Sequence, residues 1–330
     1  MEISEIVNQM HEEGIESLLI FKPENITYLS GYWPTSTSIL LLKDDPVLLV
    51  PKLDLKEAEE ISALEVDELR SLPKLKKTLP VHLGVEPSLD IATYKKIDEE
   101  FKIQVTDLVE RSRIIKSEGE VHNIQKAIEI AEKSFLEVEM RGSEDEAAAR
   151  LEYIMRLNGS SKPAFNTIMA SGRRSSFPHA STSPENIESP LVIDWGAVYN
   201  HYASDTSRTL VETEKEEEIF DIVLEAQEKA IKNIKPGVKA SYIDKVARDI
   251  ITDYGYGESF LHSTGHGVGL EVHEMPSLSS KEDKKLEAGM VITVEPGIYV
   301  EGEFGVRVED MVLVGKRSRV LNNIDSRLSF

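Results

Sequence analysis

Residues Leu191–Val211 read LVIDWGAVYNHYASDTSRTLV. An apolar run of Val, Ile, Trp and Ala is broken by Asp194, and Asp205 follows on the far side of a polar centre. The pattern predicts a β-hairpin. A two-residue turn at Tyr199-Asn200 would set Asp194 directly opposite Asp205, with Cβ atoms about 4.5–5.5 Å apart. A second stretch, VITVEPGIYVEGEFGVRVEDMVLV (Val291–Val314), repeats the device. A loop centred on Gly302 would oppose Glu295 to Glu309. A bulge in either strand would change these registers.

Like charges facing each other across a sheet repel, and burying them drives their pKa values upward. A fold retains four such carboxylates when cations sit between them. Carboxylate oxygens suit Mn, Mg or Ca, and added imidazole tilts the choice towards Mn, Co, Fe or Zn. The segment STGHGVGLEVHE supplies that imidazole as His266, between two glycines that permit close backbone approach.

Taken singly, each signal has a plainer structural explanation. An isolated Asp in a strand is more often a hydrogen-bonded structural group. Glu309-Asp310 alone would pass for edge-strand charge. GHGVG lacks the lysine of a phosphate loop, so nucleotide binding is discounted. HEMPS starts like a zinc-protease helix, but residue 277 is Ser and Pro276 would break that helix. The two opposed acid pairs and the flanked histidine together favour a metal site.

The rest of the chain bounds the setting. Its 330 residues accommodate about two domains, and a hydrophobic content of 40% supports a real core. A net charge of -21 argues against gripping nucleic-acid phosphates. The absence of cysteine excludes disulfides, thiol nucleophiles and thiolate metal sites, and fits a reducing compartment. No apolar run is long enough for a membrane span, and the acidic start MEISEIVNQMHEEG is unlike a signal peptide. A cytoplasmic protein is expected.

Strands and helices alternate through the first hundred residues: SLLIFK, STSILLLK, DPVLLVP and VHLGVE read as strands, and EIVNQMHEEGIES, KLDLKEAEEISAL and LDIATYKKIDEEF as helices. A long helical pattern then opens at Ser117, with Glu120 at capping-box spacing. Domains over 1–112 and 113–330 are expected. In the second, each half pairs two helices with an acid-bearing hairpin.

These residues resemble a known family. VIDWGAVYNHYASDTSRT, HSTGHGVGLEVHE, VEPGIY and GVRVEDM are similar to the five-ligand signature of the M24 metallopeptidases, the pita-bread enzymes. PENITYLSGY and RIIKSEGEVHNIQKA resemble the N-terminal domain and domain junction of the prolidase and aminopeptidase P branch, closest to archaeal-type Xaa-Pro dipeptidases. The resemblance implies a creatinase-like α/β N-terminal domain and an α+β pita-bread catalytic domain with pseudo-twofold symmetry. It implies two divalent metal ions per subunit, Mn or Co first and Fe or Zn next.

Residue by residue, it implies that Asp194 chelates one metal, that Asp205 and Glu309 bridge both, and that His266 and Glu295 bind the second. His179 would contact substrate near the scissile bond, and His273 would steady the tetrahedral intermediate. Arg307 would support the site and help bind substrate. Glu295 is expected to shuttle the proton during attack by a metal-bridging hydroxide. His11, His82, His122 and His201 are read as structural, and His262 is left between structure and site.

The implied activity is hydrolysis of Xaa-Pro bonds, of dipeptides first, by a homodimer that binds neither nucleic acid nor membrane. An Xaa-Pro aminopeptidase acting on longer peptides is the alternative, because an arginine common after VHE-x-P is replaced here by Ser277. A methionine aminopeptidase fits less well, since its two glutamates are much further apart than Glu295 and Glu309. A metal-free binding or creatine-hydrolysing relative fits less well because all five ligands are present.

Overall fold

The computed structural model describes residues 3–77, 79–98 and 101–328. The chain divides into two compact units, Met1–Arg113 and Ile114–Phe330.

The first unit carries a six-stranded mixed sheet. Its strands are β1 (Ser17–Ile20), β2 (Ile39–Leu42), β3 (Val47–Val50), β4 (Glu65–Glu68), β5 (His82–Val85) and β6 (Lys102–Val105), in the order β4-β3-β2-β1-β5-β6. The helices are α1 (Ile3–Glu12), α2 (Pro23–Ser30), α3 (Leu55–Ile61), α4 (Leu72–Lys76), α5 (Ile91–Asp98) and α6 (Leu108–Ser112). Leu18, Ile20, Leu40, Leu42, Leu48 and Val50 face a core with Ile6 and Met10 of α1, while Leu19, Ile39, Leu41 and Leu49 pack with Leu83 and Ile97 on the other face. Both faces are covered, so β1 to β3 read as unbroken apolar runs. The sequence pattern misses β4 (EVDE) and β6 (KIQV) because both are edge strands with exposed, charged residues. It also misses α2, which has proline in its first turn and ends at Gly31 with φ 76°. The helix expected over 89–101 is seen as α5; Glu99 and Glu100 lie outside the described residues.

In the second unit α7 (Glu118–Glu137) opens with the expected capping box: Ser117 Oγ accepts from Glu120 N, and Glu120 Oε2 accepts from Ser117 N at 2.9 Å. After α8 (Glu144–Leu157) come β7 (Ile168–Ser171), β8 (Leu191–Trp195), β9 (Val198–Tyr199), β10 (Tyr202–Ala203) and β11 (Thr206–Leu210). The order β11-β8-β7 forms one sheet, and β9 with β10 extends the hairpin. Trp195 anchors the core beneath it, stacked on Phe135 at 4.5 Å and donating Nε1–H to Ala131 O.

The second half starts with α9 (Glu214–Asn233) and α10 (Ala240–Asp253). It continues through β12 (Gly265–Gly267), β13 (Glu274–Leu278), β14 (Val291–Val294), β15 (Gly297–Val300), β16 (Phe304–Arg307), β17 (Asp310–Leu313) and β18 (Arg319–Val320). Its sheet runs β13-β12-β14-β17-β18, with β15 and β16 as a paired extension. Two helices and an extended hairpin therefore occur in each half, as the pita-bread expectation requires. The halves join where Ser207 O accepts from Glu309 N at 3.1 Å and Thr209 Oγ1 accepts from Arg307 N at 3.0 Å.

The first hairpin differs from the sequence expectation. Tyr199 pairs with Tyr202, so the turn residues are Asn200 and His201, at φ 46° and 71°. Two consecutive positive-φ residues match the right-handed twist of the strands, and Asn enters that region readily. Asp194 consequently faces Ser207, not Asp205. The displacement is two residues along one strand, so both aspartates stay on the same face as diagonal neighbours. In the second hairpin the expected register is observed: Val294 pairs with Asp310 and Gly297 with Arg307, which sets Glu295 opposite Glu309 between them.

Candidate metal centre and active-site cavity

A cavity of about 850 Å³ opens in the second unit. Asp194, Asp205, His266, Glu295, Glu309, His179, His273 and Arg307 all line it, together with His262.

Asp194 projects from β8 and Asp205 from the residue before β11. Glu295 follows β14, and Glu309 precedes β17. His266 occupies the middle of β12, with its N–H donated to Thr293 Oγ1 at 3.1 Å. A Cβ at Gly265 would lie 2.1 Å from Thr293 O, and one at Gly267 would lie 2.4 Å from Met275 O. The flanking glycines therefore allow β13 and β14 to close around the histidine, a role beyond general permissiveness.

Ligand atoms of Asp205, His266 and Glu309 all lie within 4.8 Å of one another, a group that can hold a metal ion. His266 Nε2 is 3.2 Å from Glu295 Oε1 and 3.6 Å from Asp205 Oδ2. Its Nδ1 lies 3.0 Å from Gly267 O, which assigns the Nδ1–H to that carbonyl and turns Nε2 towards the acids. Asp194 Oδ1 and Glu309 Oε1 are buried with no hydrogen-bond donor among the described residues. Orphaned carboxylate oxygens beside an imidazole nitrogen are the donor set a divalent cation satisfies.

The electrostatics of the metal-free cluster agree. Burial, then the charges of Glu309, Asp194 and Glu295, push Asp205 well above the usual carboxylate range. Burial and the same crowding do this to Glu309, and burial raises Asp194 against the pull of Arg307. Glu295 goes the other way: burial would raise it, but the His266 hydrogen bond and charge outweigh that and hold it at about 2. Burial would lower His266, yet Glu295 raises it overall.

Arg307 is 3% exposed and extensively committed. Its Nη2–H meets Asp194 Oδ2 at 2.7 Å and its Nε–H meets Ser207 Oγ at 2.8 Å, while Nη1 donates to Tyr299 Oη and Pro178 O. Tyr299 Oη lies 2.9 Å from His262 Nε2, and His262 Nδ1 lies 2.8 Å from Ser263 O. A chain Asp194–Arg307–Tyr299–His262 therefore runs behind the acids. Burial lowers His262, which fits a neutral ring accepting from the phenol.

Sequence reasoning left His262 open and missed Tyr299. The usable signal was periodicity: Glu295, Gly297 and Tyr299 alternate onto one face. Gly297 itself leaves room for the tyrosine, since a Cβ there would lie 2.7 Å from Tyr299 Oη. His273 is exposed and packs edge-on to His266 with ring centroids 4.3 Å apart; burial and His266 lower its pKa. His179 is exposed at the cavity wall. Ser277 faces His266 in register but is not among the residues lining the cavity.

Residues 122–316 match the model of metallopeptidase family M24, and residues 3–115 match the creatinase/prolidase N-terminal domain. The chain belongs to the M24 metallopeptidases. It is 43% identical over 330 residues to the Xaa-Pro dipeptidase of Pyrococcus horikoshii, covering 95% of this chain and 94% of that one. The Xaa-Pro dipeptidase of Pyrococcus furiosus is 43% identical over 329 residues, covering 94% of each. The crystal structure of the Pyrococcus horikoshii prolidase superposes with a TM-score of 0.94 at 42% identity, over 98% of both chains. An X-Pro aminopeptidase from Thermotoga maritima gives 0.90 at 37% identity, over 99% of both. This M24 chain thus has family membership, a creatinase-type N-terminal domain and a metal-capable acid cluster in a single cavity.

Proposed function

We propose that this M24 chain is an Xaa-Pro dipeptidase that uses two divalent cations, Mn or Co by preference. The observation that carries the reading is the convergence of Asp194, Asp205, His266, Glu295 and Glu309 on one cavity, in a chain similar along nearly its whole length to Xaa-Pro dipeptidases. Asp194 would hold one ion, His266 and Glu295 the other, with Asp205 and Glu309 shared. When bound, such ions polarise the scissile carbonyl and acidify a water towards neutral pH.

The chain's own groups supply the remainder. Glu295, ionised at neutral pH, accepts a proton and passes it to the leaving amine. His273, at the cavity wall beside His266, donates to the oxyanion as charge develops. His179 binds the substrate near the scissile bond. The committed hydrogen bonds of Arg307 favour orienting Asp194 over direct capture of a substrate carboxylate. We further propose a cytoplasmic homodimer; no helix among the described residues is long and apolar enough to cross a membrane.

The second reading, an Xaa-Pro aminopeptidase, is favoured by Ser277 and by a cavity near the upper end of the ordinary range for ligand pockets, roughly 300–1,000 Å³. Hydrolysis of Leu-Pro, Ala-Pro-Ala and Met-Ala-Ser with Mn or Co present separates these. Leu-Pro should be cleaved fastest and Met-Ala-Ser not at all. Ala-Pro-Ala turnover equal to Leu-Pro would transfer the assignment to the aminopeptidase reading, and activity after complete metal removal would defeat both.

A further inference from the structure

We propose that Glu144 is a positioning residue that pins both ends of the segment carrying His179. The inference rests on the reading of His179 as a substrate contact.

Glu144 starts α8, and its side chain is fully buried. One carboxylate oxygen accepts from Ser171 N at 2.8 Å and Ser171 Oγ at 2.9 Å. The other accepts from Arg174 Nε at 3.1 Å and Ser183 Oγ at 2.8 Å. Ser171 ends β7, Arg174 lies in the following turn, and Ser183 lies beyond His179 in the connection that leads to β8. A single carboxylate therefore closes the loop over residues 171–183. Backbone bonds reinforce it, Glu144 N to Glu185 O and Asp145 N to Ser183 O, both at 3.0 Å.

His179 lies within this loop, exposed, and its ring makes no hydrogen bond among the described residues. No hydrogen bond of the ring itself fixes where it stands. Its placement is inherited from the backbone: Pro178 O on Arg307, Ser175 Oγ on Gly305 N at 2.8 Å, and the Glu144 clamp. Of these, Glu144 spans both ends. Buried carboxylates with every lone-pair direction used rigidify what they bind.

Glu144→Gln keeps an acceptor for Ser171 but sets an amide N–H against the Arg174 guanidinium, breaking that bond, and leaves Ser183 Oγ only an uncharged hydrogen bond, so the hold on the loop weakens at both contacts. Ser183→Ala removes the second of these contacts and serves where Glu144→Gln folds poorly. Each is combined with His179→Ala, and kcat/KM on Leu-Pro is measured with metal content checked. Glu144→Gln should lower kcat/KM by about tenfold or more, with Ser183→Ala losing less, and both should keep full metal content. In the His179→Ala background both should have little further effect. Equal losses in the two backgrounds, or no loss in either clamp variant while His179→Ala is impaired, would overturn the positioning role. His179→Ala with wild-type activity would instead remove the His179 reading, and the clamp's catalytic meaning with it.

Discussion

Asp205 concentrates the chemistry of the site in one residue. It is 5% exposed, stands among three other carboxylates, and belongs to the group able to hold a metal. Asp205→Asn is expected to cost more than the about 10–100-fold typical of losing a ligand's supporting partner, while the protein stays folded. Near-wild-type turnover would remove Asp205 from the centre. The same residue predicts a pH dependence in the metal-free protein. Its folded pKa is raised, as is that of Glu309, so the folded state holds protons that the unfolded chain has released. Their contribution is complete below the ordinary carboxylate range and is lost as pH rises through the raised values. Glu295 has the opposite sign, and its contribution fades only as pH falls towards about 2. The metal-free melting midpoint should therefore fall between mild acid and neutral pH, less so in Asp205→Asn. Parallel declines in the two proteins would exclude Asp205 as a source.

At the scale of an element, the first hairpin shows where pattern reading stops. The apolar run LVIDW and the segment TSRTL beyond the polar centre located both strands, and the turn was misplaced by one residue. Periodicity specifies which face a side chain takes, because that depends only on counting by two. It does not specify the turn, which depends on which residues tolerate positive φ. His201 does so at φ 71°, a conformation that costs a residue bearing a Cβ about 1–2 kcal/mol. His201→Gly should therefore raise the unfolding midpoint with activity unchanged, measured by thermal melting with bound metal. A lowered midpoint would show that the His201 side chain contributes more than its backbone strain removes.

At the scale of the whole molecule, a buried ion pair reinforces the joint between the halves of the second unit. Arg208 is 0% exposed, pairs with Asp310 at 2.7 Å, and donates to Ser207 O, Glu309 O, Ile324 O and Asp325 O. Gln227 Nε2 holds the other oxygen of Asp310 at 3.0 Å. This cation ties the two acid hairpins together a single residue away from Glu309. Arg208→Ala leaves Asp310 buried without its charge partner and should cost about 3–5 kcal/mol. Arg208→Met combined with Asp310→Leu should recover much of that stability in chemical denaturation. Equal loss in the single and double variants would show that the carbonyl contacts, and not the ion pair, make the joint.

The sequence by itself determined the acid set, the second hairpin's register, the capped helix at Ser117 and the family. The acids, the register and the cap follow from spacing along one chain, where strand period and cap chemistry act locally, and the family from the resemblance of its motifs. Tertiary structure alone decided the rest. It set Asp194 against Arg307 and brought Tyr299 and His262 behind the acids. It also placed the orphaned oxygens of Asp194 and Glu309 on one cavity, although 115 positions separate these residues in the chain. Those relations arise where two hairpins from opposite halves share an edge, and no local rule encodes which long-range edges meet.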